Sequence, residues 1–511
     1  MKYFIHKFFI LVFLLLAVNI FSQNVKPPAF ISDSLDKYIN RALHNWEIPG
    51  VAVAIVKDGK VVLEKGYGYC QLGKDTKVDE NTLFMIGSNT KAFTATALAM
   101  LDAEGKCKLK DPVIKWLPNL LLNDPWVTQH ISLTDILCHR LGTETFQGDF
   151  TFWNSDLSPA DIISKYGKLT PPYEFRTKWG YCNTGFTMAG LCIEKISGKT
   201  WEETMKERFF VPLEMSRTLA LAKELPAATN KAAAYTWQDG KIIQIPYGHF
   251  DGLAPAASIS SSAHDLSHWL IAQTDSGNYN HAKVIPFNVI RKTRQPQSII
   301  GRSGHPFNHK HFSLYALGWQ LEDYEGREIV SHTGGVDGFV SSVTLLPEEK
   351  LGIVILTNTD HNALYEALKW EIIDAYLGLP YRNYSDLYCE WVKSNLAEQQ
   401  QEIADWRDSA AAQLPSPLPL KAFEGKYSNP VYGKIVVDAN KNELTLKFEH
   451  HPKLSATLQH IGKNRFLCTY SDPMYGIKIF PFTIKNDKVI SFSLSVADFL
   501  EFTSYEFVKE L

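Results

Sequence analysis

A serine and a lysine three residues apart, where a run of small residues opens a helix, constrain this chain more than any other feature. The run is Phe84-Met85-Ile86-Gly87-Ser88-Asn89-Thr90-Lys91-Ala92-Phe93-Thr94-Ala95-Thr96-Ala97-Leu98-Ala99-Met100-Leu101. It predicts a helix reading through to about Gly105. Positions three apart share a helix face, so Ser88 and Lys91 point into one site, and the helix start favours negative charge developing there. A serine hydroxyl is a poor nucleophile until a neighbour takes its proton. A lysine can do so when burial and nearby cations depress its pKa. Spacing alone does not make a site: Ser34-Leu35-Asp36-Lys37 repeats it and reads as an ordinary capped amphipathic helix start.

Two later segments give the first its meaning. Tyr181-Cys182-Asn183 lies in Thr-Lys-Trp-Gly-Tyr-Cys-Asn-Thr-Gly-Phe, where alternate residues of an extended turn bring a phenol and an amide to one side. His332-Thr333-Gly334-Gly335 continues from apolar Ile329-Val330 and precedes Gly338-Phe339-Val340, the pattern of a strand over which a substrate backbone can lie. Its glycines remove side chains where close approach is needed. Ser-x-x-Lys, Tyr-x-Asn and His-Thr-Gly in this order resemble the three motifs of the penicillin-recognising serine hydrolases, a family that includes class C β-lactamases, D,D-carboxypeptidases, D-aminopeptidases and related esterases.

The resemblance runs over roughly residues 30 to 375. Ala189-Gly190-Leu191-Cys192-Ile193-Glu194-Lys195-Ile196-Ser197-Gly198 and Phe210-Val211-Pro212-Leu213-Glu214-Met215 are similar to the family's passage after its tyrosine. Ile259 to Leu266 resembles its pre-helix turn, and Leu356-Thr357-Asn358 the end of its last strand. Cys138-His139-Arg140 and Phe175-Arg176 resemble a lineage of D-peptidases that carry a lipocalin-like C-terminal domain. Three positions depart from the pattern. His332 replaces the commoner lysine, which argues against an efficient β-lactamase; Cys182 replaces serine or alanine; and Leu141 stands where serine or threonine is common.

The resemblance implies acyl transfer through a covalent intermediate on Ser88, with Lys91 and Tyr181 sharing the proton traffic. A phenol beside an ammonium ionises more readily, so Tyr181 is expected to be the base and Lys91 its electrostatic partner. The reverse assignment stays open because the pair titrates as a unit. The resemblance further implies an oxyanion hole of the Ser88 and Gly335 N–H groups. It has Asn183 donating to a substrate carbonyl, and His332, Thr333 and Gly334 meeting a substrate carboxylate or amine. The plainer readings are an N-cap for Ser88, a core aromatic for Tyr181, a helix cap for Asn183 and a strand-edge residue for His332. His139 and Arg140 read as loop supports.

Length and composition bound the rest. At 511 residues two domains are expected, and 45% hydrophobic residues is ordinary for globular protein. A net charge of −3 gives no footprint for nucleic acid. Met1-Lys2-Tyr3-Phe4-Ile5-His6-Lys7, then an apolar run from Phe8 to Phe21 and a small Ser22, read as a secretory signal cleaved near Ser22. That run is short for a membrane span, and no second long one follows, so the expected product is exported, periplasmic or extracellular. The seven cysteines form no CxxC pair or metal framework and read mainly as small buried packing residues, with room for one disulfide.

The expected fold class is α/β (α+β), with four segments. Residues 1–22 are the signal and 30–378 a β-lactamase/transpeptidase-like serine hydrolase domain. Residues 379–418 form a helical linker with a Pro-rich hinge, and 419–511 a lipocalin-like barrel. In the hydrolase domain, Gly50 to Tyr69 predicts two strands, Tyr315 to Thr357 three more, and about His361 to Tyr376 a final helix; Asp111 to Ser276 supplies an inserted helical lobe. Six short strands are expected beyond Leu414-Pro415-Ser416-Pro417-Leu418-Pro419. No cofactor or metal is expected: His305, His309 and His311 sit in a Gly-, Pro- and Asn-containing loop without a carboxylate at ligand spacing. No Gly-x-Ser-x-Gly elbow points to an α/β-hydrolase. The expected substrate is a small peptide or acyl compound near D-amino acids, with β-lactams as a side activity. An esterase of the same mechanism and a non-turnover sensor are the rivals. The sequence does not set an oligomeric state.

Overall fold

A computed structural model describes residues 26–511; the expected leader lies outside the described residues. The amphipathic helix α1 (Leu35–Trp46) turns Leu35, Tyr38, Ile39, Ala42 and Trp46 inward at three- and four-residue spacing. It ends where Glu47 takes a left-handed conformation, φ +55°. Strands β1 (Gly50–Lys57) and β2 (Lys60–Gly68) form the expected hairpin. Next come α2 (Thr90–Ala103) behind the Ser88 turn, α3 (Asn183–Ser197) behind Tyr181, and α4 (Ala263–Thr274).

Six more strands follow: β3 (Ser298–Arg302), β4 (Phe312–Tyr315), β5 (Gln320–Tyr324), β6 (Arg327–Val336), β7 (Phe339–Leu346) and β8 (Leu351–Thr357). They join the hairpin in one antiparallel sheet of order β2-β1-β8-β7-β6-β5-β4-β3. Alternation along β1 explains the layers. Val51, Val53 and Ile55 pack with α1 and α5 (Leu364–Leu377) on one face, and Ala52, Ala54 and Val56 share the other core with α2 and α4.

The sheet therefore has eight strands where the sequence predicts five. Two of the additional strands, β3 and β4, are short and carry little alternation. The third comes from a turn that the periodicity hides: Asp337-Gly338 splits one apolar run into β6 and β7. Gly338 there has φ +75°, and a Cβ on it would lie 2.5 Å from that of Ala234.

The long helix α6 (Tyr384–Ala411) buries little beyond Tyr384, Ser385 and Cys389 and leads to the Pro-rich segment. The closed barrel comprises β9 (Gly425–Asn429), β10 (Gly433–Ala439), β11 (Leu444–Phe448), β12 (Ser455–His460), β13 (Arg465–Tyr470), β14 (Ile477–Lys485), β15 (Lys488–Leu494) and β16 (Tyr505–Lys509), paired in chain order. It has eight strands rather than six. β12 escaped notice because only Ala456 and Leu458 in it are buried, and β16 because it is five residues long. Inward positions alternate along each strand, as in Ile435/Val437, Leu444/Leu446 and Tyr505/Phe507. All seven cysteines are buried and unpaired, so the expected room for one disulfide goes unused.

Candidate active site

Ser88 sits in the tight turn Gly87–Asn89 that opens onto α2. Gly87 has φ +53°, and a Cβ there would lie 3.0 Å from the Gly335 nitrogen. Only a glycine lets the nucleophile turn nest against β6 in this way. The turn is pinned from behind: Asn89 Nδ2 donates to Ser341 Oγ (2.8 Å), and Ser341 Oγ donates to the Ile86 carbonyl (2.8 Å).

Lys91 is fully buried and its Nζ has three neighbours: Ser88 Oγ at 2.9 Å, Asn183 Oδ1 at 2.7 Å and the Ala256 carbonyl at 3.0 Å. The last two can only accept. Burial drives the Lys91 pKa down to about 7, against the smaller upward pull of Asp149. A neutral amine in this position keeps two hydrogens for the two carbonyl oxygens and turns its lone pair to the Ser88 hydroxyl.

Tyr181 lies with its ring centroid 4.7 Å from Lys91 Nζ. Burial pushes its phenol well above the ordinary range, outweighing the lowering effect of the Ser88 hydroxyl. Burial thus favours the protonated phenol and weakens the amine's hold on its proton, the direction of the alternative assignment, with the lysine as base. An adjacent ammonium would favour phenolate, but desolvation dominates both groups and suppresses both charges. His139 supports the Tyr181 loop, as its sequence position suggests. Its Nδ1 accepts from the Cys182 N–H (3.0 Å), its carbonyl accepts from the Gly180 N–H (2.8 Å), and its ring packs 4.2 Å from that of Tyr181. Arg140 and Arg176 both bond the buried Asp135, at 2.6 and 2.7 Å, bracing the same wall.

Asn183 is placed at the site, but both ends of its amide are in use. Oδ1 accepts from Lys91, and Nδ2 donates to Asp149 (2.6 Å). It positions the lysine, and the second hydrogen of Nδ2 remains for a substrate carbonyl at the cavity wall. His332 is also near but buried. Its Nδ1 and Nε2 lie 2.6 Å from the Thr333 carbonyl and 2.8 Å from the Tyr315 hydroxyl. Burial, reinforced by Lys91, lowers its pKa to about 3, so it is neutral and offers no cation. Thr333 is exposed to the cleft. Gly334 instead faces the core: a Cβ there would lie 1.9 Å from the Ile86 carbonyl oxygen. A glycine at this position permits the close packing of β6 against the nucleophile turn.

Ser88, Tyr181, Asn183, His332, Thr333 and Gly335 line a cavity of about 380 Å³ together with Phe146, Asp149, Trp153, Trp179, Tyr315 and Phe499. Asp149, held well above the usual carboxylate range by burial and then by Glu501, escaped the sequence reading. No motif surrounds it. The barrel's share was equally hidden. Its loop before β16 carries Phe499 and Leu500 into the cavity wall, and Phe502 stacks on Phe146 with centroids 5.7 Å apart. Glu501 in that loop accepts from the N–H groups of Gly148 (2.9 Å) and Phe150 (2.8 Å), the start of the short helix carrying Asp149. The loop histidines His309 and His311 do have carboxylate neighbours, Glu325 at 3.2 Å and Asp323 at 2.6 Å across the hairpin, all on the surface.

A protein-family model described as beta-lactamase matches residues 35–377, and one described as a domain of unknown function (DUF3471) matches residues 409–509. Among curated proteins, the unguisins hydrolase ungD' of Aspergillus campestris is 29% identical over 433 residues, covering 80% of this chain and 78% of that protein. Protein flp of Staphylococcus aureus is 27% identical over 349 residues, 66% of each chain. Among solved structures, the octameric penicillin-binding protein homologue from Pyrococcus abyssi superposes with a TM-score of 0.59 at 22% identity, covering 93% of this chain and 99% of that one. A D-stereospecific amidohydrolase from Streptomyces gives 0.53 at 20% identity, covering 66% and 98%. At these identities the two structures share the fold with this chain.

Proposed function

This chain belongs to the β-lactamase family and is a serine hydrolase, and on that premise we propose that it cleaves amide bonds in peptides containing D-amino acids through an acyl-enzyme on Ser88. The observation that carries the reading is the position of the Lys91 amine, whose two obligate acceptors leave its lone pair on the Ser88 hydroxyl. Ser88 Oγ attacks the carbonyl and its proton passes to Lys91 Nζ. The oxyanion takes hydrogen bonds from the Ser88 and Gly335 N–H groups, each such donor contributing on the order of 10²–10³ in rate. Tyr181, kept as a neutral phenol, gives its proton to the leaving nitrogen and regains one from the Lys91 ammonium. Water then enters against the regenerated amine and releases the acid.

The relatives' names support the substrate class: one is a hydrolase of unguisins, and one fold neighbour is a D-stereospecific amidohydrolase. Export to the periplasm or the medium is part of the proposal and rests on the leader-like composition of Met1 to Ser22. The test is incubation with a fluorophosphonate and with fluorescent penicillin, followed by mass spectrometry. Turnover of D-amino-acid amides, D-Ala-terminated peptides, nitrocefin and short acyl esters is then ranked. The expected result is a label on the Ser88 peptide, absent in Ser88→Ala, with D-amino-acid amides turned over fastest. A stable label with no turnover of any substrate would instead make the protein a sensor.

A further inference from the structure

Among the described residues, no lysine or arginine lines the catalytic cavity. Four basic side chains near it are engaged elsewhere. Arg140 and Arg176 converge on Asp135, Lys91 serves Asn183 and the Ala256 carbonyl, and His332 is locked between Thr333 and Tyr315. The carboxyl that lines the cavity is that of Asp149, with the Glu501 carboxyl nearby. The remaining wall is largely aromatic. One of its rings comes from the barrel: Phe499 lies 3.2 Å from the point where a Cβ on Gly335 would stand, over the backbone that follows Thr333.

A carboxylate entering this space would lose its water and gain no counter-charge, and an apolar group would lose water to advantage. Taking the acyl-transfer reading as given, we propose that the cleft selects substrates whose leaving group is uncharged and aromatic or apolar, without a free carboxylate, and that Phe499 of the barrel reads that group. The hydrolase is thereby directed at amidated or internal peptide bonds and away from free C-terminal residues and carboxylated β-lactams. The barrel supplies specificity to a site built by the other domain.

The experiment compares D-Phe-D-Phe with D-Phe-D-Phe amide, which differ in one charge, on the full chain, with fluorophosphonate labelling of Ser88 run in parallel. The amide is expected to exceed the free acid in kcat/KM by on the order of 100-fold. In Phe499→Ala, a loop change, KM for D-Phe-D-Phe amide should rise about 3- to 10-fold, with a smaller effect on D-Phe-Gly amide. Labelled enzyme that cleaves acid and amide equally overturns the inference and leaves the acyl-transfer reading standing. So does a Phe499→Ala effect that is equal for both leaving groups. Failure to label Ser88 removes both.

Discussion

Both halves of this chain surround their interiors with aromatic rings, yet one interior is filled and the other is hollow. In the barrel, Phe423, Phe466, Phe482, Phe492 and Phe507 follow one another at centroid separations of 5.0, 5.1, 5.1 and 5.5 Å, which is contact distance. In the hydrolase half, Phe146, Trp153, Trp179 and Tyr315 stand around an open cavity whose walls include Asp149 and His332, with Lys91 beneath. Burial pushes each of those three groups toward its uncharged form. The rings of the barrel supply cohesion. The rings of the cleft supply a medium poor in water, in which an amine can work as a base near neutral pH.

Substitutions can break that contrast from either side. The largest expected effect is Ser88→Ala, which should lower kcat by about 10⁶-fold and abolish fluorophosphonate labelling while leaving Tm unchanged. Lys91→Met should cost about 10²–10⁴-fold in kcat/KM. In the native protein kcat/KM should climb as pH rises through about 7, as the Lys91 ammonium loses its proton, and then level off. Tyr181→Phe, though slower, should keep that limb; its loss in Tyr181→Phe would return the role of base to the phenol. In the barrel, Phe492→Ala should cost about 3–5 kcal/mol in unfolding experiments, because the packed interior cannot collapse around the missing ring.

The smallest effect concerns the seam between the halves. Burial raises the Glu501 carboxyl to about 7, so the folded protein binds this proton more readily than the unfolded chain. Its contribution to docking is whole below the ordinary carboxylate range and is lost as pH rises through about 7, by about 3 kcal/mol at most. Thermal melts between pH 5 and 8 should show this decline in the native protein and a flatter profile in Glu501→Gln.

What the sequence made legible was whatever is written locally. Ser88 and Lys91 share a helix face by spacing alone, and the Gly334-Gly335 pair announces a close approach that the nested turn at Gly87 makes good. Tyr181-x-Asn183 was visible as an extended turn. The uses of those groups were not visible, because they depend on what burial does to charge. Nothing near Asn183 reveals that its amide is held between Lys91 and Asp149. Nothing near Phe499 reveals that a barrel loop closes a cleft whose other walls lie far earlier in the chain. The Asp337-Gly338 turn was in principle readable as a hairpin signal, but the apolar run on both sides concealed it.

The seven cysteines carry a practical consequence. Each sulfur is enclosed, Cys182 beside Tyr181 and Cys468 within the barrel among them, and none is bridged to another. Folding therefore requires no oxidant, and maturation should proceed alike in reducing and oxidising surroundings. A water-soluble alkylating agent should leave the folded chain untouched. Added during gentle warming, it should mark Cys468 or Cys182 in turn and so report which half opens first.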